Sequence, residues 1–335
     1  MRDAKLRLSL IAILLPCAAL ASLQFGSYSI SLLDSVRTFA GYGTAQQELV
    51  LFSIRLPRIC VVILAGAALA LSGATLQATS RNILADPGII GLTSGAGLTV
   101  ILLLYAQQEG IGLPFLSKPL AAACGAFVAS LLVYGLAVRR GSLDPDKLLL
   151  CGIAVSAGLS AATLVISLRL DRKLYELAVV WMSGSTAGKG WHDVWMMLIW
   201  LVPLMPLLLM QAKALDVLML GDTTAKGLGL DLETRRLFLL VLAVGLAGTA
   251  VAAVGGIGFI GLLGAHIARR IAGPTHALLL PAAAAVGAIL LVLSDTVGRT
   301  MLAPVEVPAG GVVALIGAPY FLHLMTRSRK RFAAK

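Results

Sequence analysis

The sequence predicts an all-α polytopic membrane protein, and two features of its composition lead to that prediction. Hydrophobic residues make up 59% of the 335 residues and charged residues only 13%, whereas a soluble domain carries about 25% charged residues. The apolar residues also form long blocks, and segments 237–254 and 278–293 contain no charged residue. A helix needs about 20 such residues to cross a hydrocarbon core roughly 30 Å thick, so lipid is the main solvent of this chain.

Ten apolar blocks, separated by breaks rich in charge, Gly or Pro, predict ten crossings. The first block follows Arg2, Lys5 and Arg7 and therefore has the features of a secretory signal peptide. We predict a retained helix, because its removal would leave an odd number of crossings and place the termini on opposite sides. The eighth block is short and rich in Gly, which predicts a partial crossing or a broken helix. The crossings are predicted near residues 7–27, 55–79, 88–106, 117–138, 147–168, 191–210, 236–255, 257–269, 278–299 and 307–326.

The distribution of basic residues predicts the orientation of the chain. The net charge is +11, and the basic residues of membrane proteins collect in cytoplasmic loops. With a cytoplasmic N-terminus, 18 of the 27 Lys and Arg residues lie on the inner side. Both termini are therefore predicted to be cytoplasmic, and the basic charge requires no nucleic-acid partner. The outer basic residues are Arg37, Arg55, Arg58, Lys118, Arg169, Arg172, Lys173, Lys189 and Arg299.

Two glycine-rich segments imitate nucleotide-binding motifs without the context that those motifs need. Gly256–Gly261 fits the dinucleotide fingerprint, but it lies between apolar crossings rather than in a strand–helix–strand unit. Gly184–Gly190 has three residues between its glycines where a phosphate-binding loop has four, and Gly190 replaces the Ser or Thr. The four cysteines are scattered singly, without metal-ligand spacing, and no catalytic motif occurs. We therefore predict no cofactor, no metal site and no enzymatic activity for this chain.

A series of short motifs runs in order through residues 50–325. It comprises Arg55-Leu-Pro-Arg58, Gly66–Gly73, Arg81–Gly88, Gly91–Gly95, Gly258-Phe-Ile-Gly261, His266-Ile-Ala-Arg269, Asp295–Arg299, Glu306-Val-Pro308 and Gly317-Ala-Pro319. As an ordered set, the series resembles the FecCD-type permeases, the membrane subunits of ABC importers for siderophores, haem and cobalamin. Two positions depart from the family pattern: Ala265 stands where the family usually has Pro, and Val307 stands where it usually has Leu.

The resemblance implies a fold, an assembly and a location. The fold has ten helices in two halves of inverted topology, here as a single permease domain over residues 1–335. Its parts are the first crossing at 7–27, a first repeat at about 55–168, a cytoplasmic coupling loop at about 211–236 and a second repeat at about 236–326. The implied partners are a second permease subunit, identical or related, two ABC ATPase subunits that hydrolyse ATP, and an extracytoplasmic substrate-binding protein. The implied location is the bacterial cytoplasmic membrane.

The cargo that the resemblance implies is an iron–siderophore complex. Haem, cobalamin or another metal chelate remains open, because substrate choice rests largely with the binding protein. An ion-coupled secondary transporter is an alternative from another class, and it predicts charged or cation-coordinating residues at mid-membrane, of which the sequence has few.

The cytoplasmic loop at 211–236 is the predicted contact with the ATPase subunits. It contains short helical runs broken by glycines, and its Leu and Met side chains are poorly suited to a free loop in water. The alternative is that they pack under the bundle. The resemblance implies that the loop inserts into a cleft of the ATPase, and the predicted coupling residues are Leu218, Leu220, Gly221, Asp222, Ala225, Leu228 and Gly229.

Three outer arginines, Arg55, Arg58 and Arg299, match family arginines that meet acidic residues of the binding protein. Charges at a rim mainly steer and orient docking, and snorkelling to the membrane surface is the alternative. Asp295 lies one helical turn from Arg299 and is costly if unpaired in the membrane. A structural ion pair therefore competes with the docking role.

The segment after the fifth crossing is predicted to lie near the translocation pathway and its gate, as the resemblance implies. Small and polar side chains suit a pathway that passes a bulky ligand without holding it, and packing hydroxyls between helices are the alternative. The predicted pathway residues are Ser156, Ser160, Thr163, Trp181, Met182, Ser183, Gly184 and Ser185.

Overall fold

The computed structural model describes residues 2–26, 31–111, 117–139, 142–303 and 305–332, and most of these residues are helical. The first part of the chain forms α1 (Arg2–Gln24), α2 (Leu32–Phe39), α3 (Ala45–Glu48), a π-helical segment (Leu49–Arg55), α4 (Leu56–Ser80), a 3-10 turn (Pro87–Ile90), α5 (Leu92–Gln108), α6 (Lys118–Ala137) and α7 (Pro145–Ser167). The rest forms α8 (Arg172–Met182), α9 (Trp191–Leu209), α10 (Ala212–Met219), α11 (Asp222–Gly227), α12 (Leu232–Val254), α13 (Ile260–Ala272), α14 (His276–Thr300) and α15 (Ala309–Phe332).

Each of the ten predicted crossings coincides with one helix, namely α1, α4, α5, α6, α7, α9, α12, α13, α14 and α15. Residue 27, at the end of the first predicted crossing, lies outside the described residues. Within the described part of the chain, six helices are long and apolar enough to cross a membrane, and α1 and α15 contain shorter apolar runs. The predicted all-α polytopic membrane fold is confirmed.

Local sequence signals explain where several helices begin. The side chain of Asp144 accepts hydrogen bonds from two backbone N–H groups in the first turn of α7, and Pro145 occupies the first helical position. Asp171 and Asp231 cap α8 and α12 in the same way. These carboxylates satisfy N–H groups that have no partner inside the helix, and Pro lacks the N–H that would need one.

The eighth predicted crossing is a short continuous helix that follows a break in the chain, so the partial crossing fits among the two predicted alternatives. The chain is non-helical from Gly255 to Phe259, and α13 has only 13 residues. Phe259 has a φ of 65°, a backbone conformation that is strained for a bulky side chain. The break therefore gives α13 a free N-terminus inside the bundle.

Helix α4 is the central helix of the bundle. It packs against α9, α12, α13 and α14. Within segment 45–80, 83% of an 18-residue apolar stretch is buried, whereas 11% of such a stretch is buried in α7. The backbone of α4 meets that of α14 at Gly66 and Gly287, where a Cβ atom on either glycine would collide with the carbonyl oxygen of the other. Small residues permit this approach in lipid, where helices associate through packing rather than through the hydrophobic effect.

A short antiparallel β-pair joins α6 to α7 at one end of the bundle. Its strands are β1 (Val138–Arg139) and β2 (Ser142–Leu143), with Val138 opposite Leu143. The N–H of Leu143 donates a hydrogen bond to Oε2 of Glu233, at 2.9 Å. This turn is therefore attached to the first turn of α12.

We predict that Gly66→Ala destabilises the protein, because the added methyl group must push α4 away from the backbone of α14. Overpacking of a tight core costs about 1–3 kcal/mol. The free energy of unfolding, measured by denaturation with SDS in mixed micelles, should fall by this amount.

The matched control is Gly248→Ala in α12, where the glycine is buried but an added Cβ would meet no atom within 4 Å. Alanine has the higher helix propensity, by about 1 kcal/mol, so this variant should be neutral or more stable. Equal losses in the two variants would contradict the close contact of α4 with α14.

Candidate functional site

Two polar clusters lie at opposite ends of the bundle, because each contains a residue from a different end of α4. One includes Arg58, in the first turn of α4, and the other includes Arg81, which follows its last residue. A helix of 25 residues spans about 37 Å at 1.5 Å per residue. Following the orientation predicted from the Lys and Arg distribution, these are termed the outer end and the inner end.

The outer end contains a buried charged cluster centred on Asp295, termed the Asp295 cluster and formed by Arg58, Thr186, Asp295, Arg299 and Glu306. Oδ1 of Asp295 lies 2.9 Å from Nη2 of Arg58, and Oδ2 lies 3.1 Å from Nε of Arg299. The hydroxyl of Thr186 donates a hydrogen bond to the same carboxylate. Nη1 of Arg58 lies 2.9 Å from Oε2 of Glu306. Two buried guanidiniums are thus balanced by two carboxylates.

The last turn of α1 is held by Arg55, the last residue of the π-helical segment, and by Arg299 of α14. Arg299 donates hydrogen bonds to the backbone oxygens of Ser22 and Phe25, and to the hydroxyl of Ser22 at 2.6 Å. Arg55 donates a hydrogen bond to the backbone oxygen of Leu23. The last carbonyl groups of a helix have no partner within it and carry partial negative charge, so the guanidiniums serve as its C-terminal cap.

The three arginines predicted to dock a binding protein are therefore buried in this conformation. Arg55, Arg58 and Arg299 are 4%, 8% and 6% exposed, respectively. The ion pair of Asp295 with Arg299, which the sequence offered as the competing role, is present, and Arg58 joins it. The docking role itself stays a prediction.

The predicted pathway segment Trp181–Ser185 meets the break between α12 and α13. The backbone oxygen of Gly184 accepts a hydrogen bond from the N–H of Gly310, at 3.0 Å, at the start of α15. A Cβ atom on Gly310 would collide with the oxygen of Ser183, and one on Gly255 with the oxygen of Trp181. Three chain segments thus meet backbone to backbone next to the Asp295 cluster, to which Thr186 connects them.

The remaining predicted pathway residues lie on one side of α7. Oγ of Ser156 would lie 3.5 Å from a Cβ atom on Gly91, at the start of α5, and Ser160 donates a hydrogen bond to Ser94 of α5, at 3.3 Å. Thr163 is buried and donates to the backbone oxygen of Leu159. Ser156 and Ser160 therefore lie at the contact between α5 and α7, and their pathway role stays a prediction.

At the inner end, helices α10 and α11 form a short pair with one buried and one exposed side. Leu215, Leu218 and Ala225 are at most 1% exposed. Leu220 and Leu228, by contrast, are 61% and 63% exposed. The buried side packs α10 against α4 and α14, and α11 against α12.

This arrangement divides the predicted coupling residues into two groups. Leu218 and Ala225 face the bundle, and Asp222 forms ion pairs with Arg81 and Arg236. The exposed members are Leu220, Leu228 and Gly229. Gly221 separates α10 from α11 with a φ of 101°, which favours glycine. The exposed group is available for contact with another chain.

Three polar residues with structural contacts between elements had no predicted role. Oδ1 of Asp216 in α10 accepts the N–H of His276 at 2.9 Å and lies 2.6 Å from its Nδ1. Oδ1 of Asp86 accepts the N–H of Leu262, at 3.1 Å, in the first turn of the short helix α13. Asp86 stands in a family motif and Asp216 in the coupling loop, but their partners lie far away in the chain. Spacing along the sequence therefore gave no signal for these pairs.

Asp86 is held by backbone N–H groups from two elements. Its side chain accepts hydrogen bonds from the N–H of Gly88, at 3.1 Å, and from the N–H of Leu262, also at 3.1 Å. An acceptor at this place satisfies an N–H group in the first turn of α13 that has no partner within the helix.

Known proteins match this chain over almost its whole length. The model of the FecCD transport family matches residues 13–327. The iron(3+)-hydroxamate import system permease protein FhuG of Bacillus subtilis is 42% identical over 311 residues, which cover 92% of each chain. The hemin transport system permease protein HmuU of Yersinia pestis is 38% identical over 336 residues, covering 98% of this chain and 97% of its own. A solved metal-chelate type ABC transporter in an inward-facing conformation has a TM-score of 0.83 at 30% identity, covering 96% of this chain and 99% of that one.

We predict that Asp295→Asn strongly destabilises the protein, because the change leaves the buried guanidiniums of Arg58 and Arg299 with one carboxylate fewer. Breaking a buried ion pair costs about 3–5 kcal/mol, and denaturation in mixed micelles should measure a loss of this size.

Glu306→Gln provides the comparison, since the side chain of Glu306 is 37% exposed and water can replace part of its contact. A partly exposed pair contributes about 1 kcal/mol or less. A loss as large in Glu306→Gln as in Asp295→Asn would show that burial does not set the strength of the cluster.

Proposed function

We propose a function for this chain on the basis that it belongs to the FecCD transport family. The chain is the membrane-spanning permease subunit of a binding-protein-dependent ABC importer. It works in the bacterial cytoplasmic membrane, where it forms the translocation pathway for an iron–siderophore complex. ATP is hydrolysed by two separate ABC ATPase subunits, so this chain is not itself an enzyme.

The observation that carries this proposal is the apolar tip of the helix pair α10–α11. Met219, Leu220 and Leu228 are 41%, 61% and 63% exposed, although the pair lies at the end of the bundle among charged residues, outside the apolar crossings. Exposed apolar side chains gathered at one place mark a surface that a partner covers. The partner proposed is the ATPase, with the tip inserted in a cleft on its surface.

The exposed side of α7 supports the pairing with a second permease subunit. Only 11% of an 18-residue apolar stretch of α7 is buried within this chain. A second subunit, identical or related, would enclose the pathway between the two permeases. The segment Trp181–Ser185 lies next to the Asp295 cluster and acts as the gate of the translocation pathway.

The cargo proposed is a ferric hydroxamate. This choice rests on FhuG, which is named for import of iron(3+)-hydroxamate and is 42% identical to this chain. Haem is the second candidate, because HmuU is named for hemin transport and aligns over 98% of this chain.

Docking of the binding protein at Arg55, Arg58 and Arg299 is part of the proposal. The geometry adds one requirement, because Glu306 already pairs with Arg58. Glu306 is the most exposed charged side chain of the Asp295 cluster. A carboxylate of the docking protein would therefore displace Glu306 first.

The cargo is tested in cells whose only importer of this family contains the chain. Uptake of radiolabelled iron is measured with a ferric trihydroxamate, and separately with labelled haem and labelled cobalamin as cargo. We expect uptake of the ferric trihydroxamate, its loss on deletion of the chain, and its dependence on ATP in vesicles that contain the ATPase. Uptake of haem alone would identify haem, the second candidate, as the cargo. Uptake driven by an ion gradient without ATP would overturn the proposal of an ABC importer.

We predict that Leu228→Glu weakens binding of the ATPase, because a carboxylate would have to be buried in an apolar contact. Co-purification of the ATPase with the permease should fall by about tenfold or more, equivalent to about 1.4 kcal/mol. Leu302→Glu is the matched control, since Leu302 is 61% exposed at the outer end. Equal retention of the ATPase by both variants would contradict the proposed contact.

A further inference from the structure

The helix pair α10–α11 is attached to the bundle by two carboxylates, and each contacts a different part of it. Asp216, in α10, contacts His276 in the first turn of α14. Asp222, in α11, contacts Arg81 after the last turn of α4 and Arg236 near the start of α12. Together these contacts are termed the two inner joints.

The Asp216 joint is a helix cap supplied by another helix. One oxygen of Asp216 accepts the backbone N–H of His276 at 2.9 Å and lies 2.6 Å from its ring Nδ1. The side chain of His276 is 2% exposed. A carboxylate at a helix N-terminus satisfies a free N–H group and is stabilised by the helix dipole, so α10 and the start of α14 are held together.

The Asp222 joint connects two crossings through one oxygen atom. Oδ1 of Asp222 lies 2.7 Å from Nη2 of Arg236 and 3.1 Å from Nη2 of Arg81. The side chain of Arg236 is 3% exposed, whereas those of Arg81 and Asp222 are 37% and 40% exposed. The pair with Arg236 is therefore buried on one side, and the pair with Arg81 is accessible to water.

We propose that the two inner joints are positioning contacts that transmit movement of the apolar tip to α4, α12 and α14. This inference rests on the proposed function and goes beyond the tip contact itself. The buried apolar residues Leu215 and Leu218 hold α10 near the bundle, but apolar packing is non-directional and permits sliding. Directional charged contacts at fixed points prevent sliding and make the pair move together with the three crossings.

The crossings that the joints connect also carry the outer cluster. Arg58 belongs to α4, and Asp295 and Arg299 belong to α14, so both ends of these two helices are fixed by charged contacts. A displacement of α10 relative to the membrane would therefore reach the Asp295 cluster as a movement of α4 and α14.

The test uses the full importer with its ATPase subunits and binding protein, reconstituted in vesicles, and compares Asp216→Asn and Asp222→Asn with the unmodified chain. The probe is a radiolabelled ferric trihydroxamate, or labelled haem if the uptake assay assigns that cargo. ATP hydrolysis, co-purification of the ATPase and cargo taken up per ATP hydrolysed are measured together. We expect assembly and ATP hydrolysis to persist while the cargo taken up per ATP hydrolysed falls by about fivefold or more. A fivefold effect corresponds to the lower end of typical coupling free energies between two sites.

Asp146→Asn is the matched control, because Asp146 is an exposed carboxylate in the first turn of α7 at the same end. It should leave cargo per ATP unchanged, and Asp222→Glu should restore part of the ratio lost in Asp222→Asn. If Asp222→Asn fails to assemble, Arg81→Gln replaces it, since this change leaves the pair of Asp222 with Arg236 in place.

An unchanged ratio in the joint variants, or a parallel fall of uptake and hydrolysis, would overturn the inference. Either result is distinguishable from failure of the proposed function. If the proposed function failed, the Leu228→Glu variant would keep its ATPase and the unmodified complex would move cargo without ATP.

Discussion

The buried carboxylate of Asp295 governs the outer end of the molecule, because hydrocarbon offers no water to balance a charge. Two guanidiniums lie close to it, and the hydroxyl of Thr186 donates a further hydrogen bond. An uncompensated charge at this depth is expensive, so each partner of Asp295 is fixed by the others. Arg299 in turn holds the last turn of α1, and Arg58 also pairs with Glu306. With Thr186, in the segment that follows α8, five parts of the chain are joined at one point.

The close packing of the bundle is a second consequence of a lipid environment. Apolar side chains gain little by leaving lipid for protein, so helices are held by backbone approach and by polar contacts. At Gly66 and Gly287 the backbones of α4 and α14 touch, and at the two ends of the same helices charged contacts fix their positions. Helices α4 and α14 therefore behave as a connected pair from the inner joints to the Asp295 cluster.

The inner end separates attachment from contact with partners. On the helix pair α10–α11, buried Leu215, Leu218 and the acidic residues face the bundle, while Leu220 and Leu228 face outward. This division suits an element that receives force on one side and passes it on from the other. The short helix α13, capped by Asp86 from the first half of the chain, gives the bundle a comparable connection between its two halves.

The sequence by itself determined the all-α membrane fold and predicted a helix at each of ten apolar blocks, because the length of an apolar block and the positions of glycine and charge are local properties of the chain. It also predicted that the eighth block would be unusual, from its shortness and its glycines, and indicated the family by its ordered motifs. Only the tertiary structure decided that Arg55, Arg58 and Arg299 are buried, that Leu218 and Leu220 face opposite ways, and that Asp216 meets His276. Those outcomes depend on which distant segments come together, and a contact across 60 residues leaves no periodic signal in the sequence.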